Sequence, residues 1–156
     1  MKRYCYIVFL LITFLAACRK DTSVDVTVMP EKTTTGANTF GCLIDGWIYV
    51  GGRYFDYNKK SINFVYSGNK IDVEVKVKGI NTPYPYLTFT IINLDNEQDC
   101  QFIDAKWSDH TSNDIDLGSG KVIITRFDTS ANIISGTFSS DPGGKITHGQ
   151  FDVQYQ

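Results

Sequence analysis

The chain has 156 residues, 42% of them apolar, with 15 Lys and Arg against 17 Asp and Glu. That length suits one domain, and the apolar content excludes a disordered chain. The near-balanced charge excludes a basic nucleic-acid footprint, so no nucleic-acid partner is expected.

Residues 1–17 have the layout of a signal peptide: Lys2 and Arg3, an apolar stretch from Ile7 to Leu15, then Ala16 and Ala17. Even with its flanks, residues 5–17, the stretch has 13 residues, short of the roughly 20 that a spanning helix needs. Leu15-Ala16-Ala17-Cys18 resembles the lipobox of bacterial lipoproteins. That resemblance implies cleavage before Cys18, lipidation of Cys18, and a membrane partner engaged through the lipid. Several acyl chains on one residue bury CH₂ groups at ~0.8 kcal/mol each, which anchors without a spanning helix. Cleavage would leave 139 residues carrying a formal charge of −4, with Cys42 and Cys100 as the remaining unmodified cysteines.

Residues 18–39 then read as the lipidated cysteine and a flexible tether. The segment has no aromatic residue and is rich in Thr, Ser, Pro and charge. Fully extended, it would span roughly 65 Å. Val24, Val26 and Val28 alternate, which also suits an edge strand.

Residues 40–156 form the expected single domain. They hold all 17 aromatic residues that follow Cys18, and 29 Val, Ile or Thr against six Ala, Leu or Met. That bias favours strands. Residues 40–50 carry Asp45-Gly46 between apolar runs, a type I′ hairpin signal. Residues 62–66 and 71–78 form the next two strands, parted by Ser67-Gly68-Asn69. The run 71–78 alternates apolar and polar without a break, and 87–91 alternates as well. Residues 121–128, 133–139 and 146–155 predict a C-terminal meander. Eight to ten strands with short connections give an all-β, antiparallel domain. A β-sandwich is the favoured architecture and a partly closed β-barrel the alternative.

The start of this domain, Thr39-Phe40-Gly41-Cys42-Leu43-Ile44-Asp45-Gly46, and its end resemble a family of Bacteroidetes lipoproteins without an assigned activity. The end segments are Ile133-Ile134-Ser135-Gly136-Thr137-Phe138 and Ile146-Thr147-His148-Gly149-Gln150-Phe151-Asp152-Val153-Gln154-Tyr155. The resemblance implies an outer-membrane lipoprotein facing the periplasm or the cell surface, and it carries no catalytic residues.

Candidate sites divide by chemistry. Cys42 and Cys100, with 57 residues between them, suit a disulfide worth about 4 kcal/mol in an oxidising compartment, or two separate buried thiols. No His or Cys stands near either at metal spacing, so no metal site is expected there. The acidic run Asp95-Asn96-Glu97-Gln98-Asp99 lacks the Gly and Glu of a calcium loop and reads as a hairpin loop. Asp109, Asp114 and Asp116 near His110 read as a polar loop; a carboxylate-based hydrolase using Asp114 or Asp116 is the alternative function. Gly118-Ser119-Gly120-Lys121 and Gly143-Gly144-Lys145 lack the following Ser or Thr of a phosphate loop and read as turns. Trp47, Tyr54, Tyr57, Tyr84, Tyr86 and Trp107 are the candidate ligand-binding aromatics, suited to a glycan or protein partner. A core and rim rich in aromatics accounts for the same residues. The expected function is therefore a lipid-anchored envelope protein that binds or scaffolds, without an enzymatic motif or a cofactor; a purely structural envelope component is a further reading.

Overall fold

The computed structural model describes residues 25–52, 61–78, 85–95, 99–108 and 114–156. Nine strands follow in order: β1 (Thr39–Ile44), β2 (Trp47–Gly51), β3 (Ile62–Ser67), β4 (Lys70–Lys78), β5 (Tyr86–Ile92), β6 (Gln101–Ser108), β7 (Asp114–Asp128), β8 (Ile133–Ser140) and β9 (Ile146–Gln154). All strand pairings are antiparallel. The strand order is β2-β1-β9-β8-β7-β6-β5-β4-β3, and β2 also pairs with β4. That second pairing closes eight strands into a ring. The all-β, antiparallel expectation holds, and the barrel alternative describes the closure where the favoured sandwich would need two separate sheets.

The closure has a seam. Along one edge of β4, Gly51 of β2 faces Val77, and Ile62 of β3 faces Val75. β2 and β3 therefore lie on one strand line, interrupted where Gly52 and Ser61 meet; the Ser61 hydroxyl donates to the Gly52 carbonyl. β3 is held on its other side by the chain end. Gln156 N–H donates to Phe64 C=O at 2.9 Å, and Tyr66 N–H donates to Gln156 C=O at 2.8 Å.

Alternation explains the wall. β4 buries Ile71, Val73, Val75 and Val77, while Lys70 and Glu74 face solvent. β5 buries Leu87, Phe89 and Ile91 in the same way. The β1–β2 turn places Asp45 at φ 50° and Gly46 at φ 82°, the two left-handed residues that the hairpin signal demands. One turn expectation fails. Gly118-Ser119-Gly120-Lys121 runs inside β7, which begins at Asp114. The register between β6 and β7 shifts twice beside Ala105, and Gly118 at φ 83° takes up that irregularity within the strand. Gly143-Gly144 does form the β8–β9 turn, with Gly144 N–H donating to Asp141 C=O at 2.9 Å.

Phenylalanines fill the lumen. Phe138 of β8 is the hub, with ring centroids 5.5 Å from Phe40, 5.2 Å from Phe89, 5.8 Å from Phe102 and 6.2 Å from Phe151. Four further strands thus contribute a ring to one contact. Tyr66, Phe127 and Tyr155 plug the end where β3 turns into β4, at mutual spacings of 5.4–5.7 Å.

Residues 25–38, expected as tether, lie against the outer wall as a strap. Asp152 on β9 is 1% exposed and holds it. Its carboxylate accepts from Thr33 Oγ1 (2.5 Å), Thr35 N–H (3.0 Å), Gly36 N–H (2.8 Å), Ala37 N–H (3.1 Å) and Ser135 Oγ (2.6 Å). Arg126 Nη1 donates to Thr34 C=O at 2.5 Å, and the Gln150 amide donates to Pro30 C=O. Pro30 sits so close over β1 that a Cβ on Gly41 would lie 2.6 Å from its Cδ.

Burial opposes the charge on Asp152, but the hydrogen bonds from Ser135, Thr33, Ala37 and Gly36 outweigh it and lower the pKa from 3.8 to about 2. A depressed folded-state value means stabilisation that is full above the ordinary carboxylate pKa and lost as pH falls through about 2. Acid should therefore loosen the strap between those values, with the Thr35, Gly36 and Ala37 amides losing hydrogen-exchange protection before the strands do. Asp152→Ala should destabilise the chain by ~2–3 kcal/mol in denaturant titration and abolish the same protection at neutral pH.

Candidate functional site

The registers place several candidate residues at one end of the barrel. The β1–β2 hairpin, the end of β4, the start of β5, the end of β6 and the start of β7 all lie there, since Tyr86 faces Ser108 and Ser108 faces Asp114. This mouth is opposite the Tyr66–Phe127–Tyr155 plug.

Tyr49 and Trp107 meet across the lumen at the mouth. Their ring centroids are 4.6 Å apart at 89°, an edge-to-face pair. Trp107 is 8% exposed, so it forms the floor of the mouth and not a ligand-facing ring. Trp47, two residues before Tyr49 on the same face of β2, is 59% exposed. Ile115, directly opposite Trp107 in the β6–β7 ladder, is 46% exposed. β2 and β7 are four places apart in the ring of eight, so Trp47 and Ile115 flank the Tyr49–Trp107 floor from opposite walls.

Of the other candidate aromatics, Tyr86 alternates with buried Leu87 and lies half-buried on the outer wall, away from this floor. Tyr54, Tyr57 and Tyr84 lie outside the described residues, as does Cys18. Sequence reasoning missed Tyr49 and Ile115. The alternation of β2 pairs Tyr49 with Trp47, so that signal was present; Ile115 stood in what read as a polar loop.

The disulfide expectation is corrected. Cys42 and Cys100 are separate buried thiols. Cys42 faces the lumen from β1, whereas Cys100 precedes β6, four places round the ring, with the phenylalanine core between their walls. Cys100 Sγ donates to Asn93 C=O at 3.3 Å. Burial pushes the Cys42 thiol up to about 12, which keeps it protonated and unreactive.

Asp114 and Asp116 are both exposed, and Asp116 Oδ1 accepts from Gly118 N–H at 2.8 Å. Asp109 and His110 lie outside the described residues. Among the described residues, no three His, Cys, Asp or Glu side chains group as a metal site. The described residues also contain no helix long and apolar enough to cross a membrane. Comparison of the chain with protein-family models, curated proteins and solved structures gives no significant match.

The two tryptophans should separate on mutation. Trp107→Ala should cost ~3–5 kcal/mol in chemical denaturation because it empties the mouth floor. Trp47→Ala should stay within about 0.5 kcal/mol, as an exposed side chain does.

Proposed function

We propose that this chain is a lipid-anchored protein of the bacterial outer membrane whose barrel binds a ligand at its mouth. The lipobox-like Leu15-Ala16-Ala17-Cys18 supports the anchor, and the resemblance of both ends of the domain to Bacteroidetes lipoproteins supports the envelope setting. The observation that carries the binding role is the exposure of Trp47 beside the Tyr49–Trp107 floor. An indole 59% exposed on a rigid strand costs apolar surface in water, and it recovers that cost when a sugar ring or peptide side chain stacks on it. The strand fixes its direction, so little ordering entropy is spent on binding.

Metabolic labelling with radioactive palmitate, followed by membrane fractionation, tests the anchor. The native chain should carry label and sediment with membranes, and Cys18→Ser should lose both; retained label would remove the anchor from this reading. Tryptophan fluorescence on the purified chain, titrated with a panel of oligosaccharides and peptides, tests the mouth. A hit should weaken at least tenfold in Trp47→Ala, and a panel that produces no titratable change would remove the binding role.

A further inference from the structure

The outer wall carries a second, chemically different feature. Three neighbouring strands present their outward residues in register: Lys121 of β7 faces Ser139 of β8, and Ile123 faces Thr137, which in turn faces Gln150 of β9. The strap forms the far bank with Met29 and Lys32, and the groove between them has a volume of about 430 Å³. Lys121, Lys32 and His148 line it and no Asp or Glu does, in a chain of net charge −2. Among the described residues neither Lys32 nor Lys121 makes an ion pair. Glu31, the nearest acid in sequence, lines not this groove but an adjoining cavity of about 120 Å³, which shares Lys32, Thr137 and Gln150 with the groove and also holds the saturated Asp152.

The floor is apolar as well as cationic at its rim. Ile123 of the wall is 56% exposed and lines the groove together with Met29 of the strap. The bulge in β9 serves this face. The β1–β9 register slips between Gly41 and Leu43, and His148 stands there at φ 52°, where the other described non-glycine residues with positive φ are all Asn or Asp. Such a bulge re-aims a side chain, and it turns the His148 imidazole outward at the rim. Gln150 is 7% exposed, and its donated bond to Pro30 ties the strap down as a fixed bank.

We infer that this groove binds an organic anion: a carboxylate, sulfate or phosphate head held by Lys32, Lys121 and His148, with an apolar portion lying over Ile123 and Met29. Two ammonium groups without internal partners attract an anionic head at little rearrangement cost. Exposed Ile123 gains from covering by a short alkyl or ring body. The groove does not depend on the mouth or on the anchor.

Titration of the ¹⁵N-labelled chain with hexyl phosphate, followed by amide shifts, tests the inference. Saturable shifts should centre on Ile123, Thr137 and Gln150, and the double variant Lys32→Glu/Lys121→Glu should weaken binding at least tenfold while its spectrum stays folded. Hexyltrimethylammonium should give no shift there, and inorganic phosphate should bind at least fivefold more weakly than hexyl phosphate. The inference is overturned if hexyl phosphate leaves those amides unmoved, if the charge-reversed variant binds as well, if the cationic amphiphile binds equally, or if inorganic phosphate matches the hexyl ester.

Discussion

Everything in this molecule follows from the β2–β4 pairing that closes the sheet. Without it the strands would form an open curved sheet with two exposed edges, each a template for association. With it, one face of each of the eight ring strands must point into an interior just wide enough for side chains to fill. Phe138 meets that need by contacting phenylalanines from four other strands. The same closure assigns the outer face, and hence decides which residues remain for partners.

Much of the wall was legible because alternation is a direct record of a two-sided strand. Residues 71–78 and 87–91 became β4 and β5 nearly to the residue, and Asp45-Gly46 marked its hairpin. Closure was not legible, since among the described residues β2 and β4 pair at two positions, Val50 with Lys78 and Gly51 with Val77. A contact that small leaves no periodic trace. β7 was cut short for a related reason. Its glycines at 118 and 120 have the composition of a turn, yet cross-strand bonds to β6 carry the strand through them. The strap looked like a linker because its polar residues make hydrogen bonds instead of packing, and the partner that organises them, Asp152, lies more than a hundred residues away.

The candidate site shows the same division. Exposure of Trp47 and burial of Trp107 cannot be told apart from composition, because both alternate within a strand. The ladder separates them: Trp107 lies within the ring opposite Tyr49, and Trp47 lies one pleat further out. The two cysteines were matched by count alone. Ring position sets them on opposed walls, where each behaves as a small apolar filler.

The Asp152 knot also has a mechanical meaning. A pull on the chain from its N-terminal side reaches the strap before it reaches any strand. Thr33, Thr35, Gly36 and Ala37 all converge on one carboxylate, with Gln150 at Pro30 and Arg126 at Thr34 beside it, so the load falls on a cluster of side chains centred on Asp152 and not on a ladder that opens one rung at a time. β9 is paired by β1 between Ile146 and Asp152 and by β8 between Gly149 and Gln154, so Asp152 has a strand on each side and the load spreads through the wall. The strap thus acts as a strain relief: it sets where tension enters the barrel, and it keeps the β1–β2 hairpin and the mouth out of the force path.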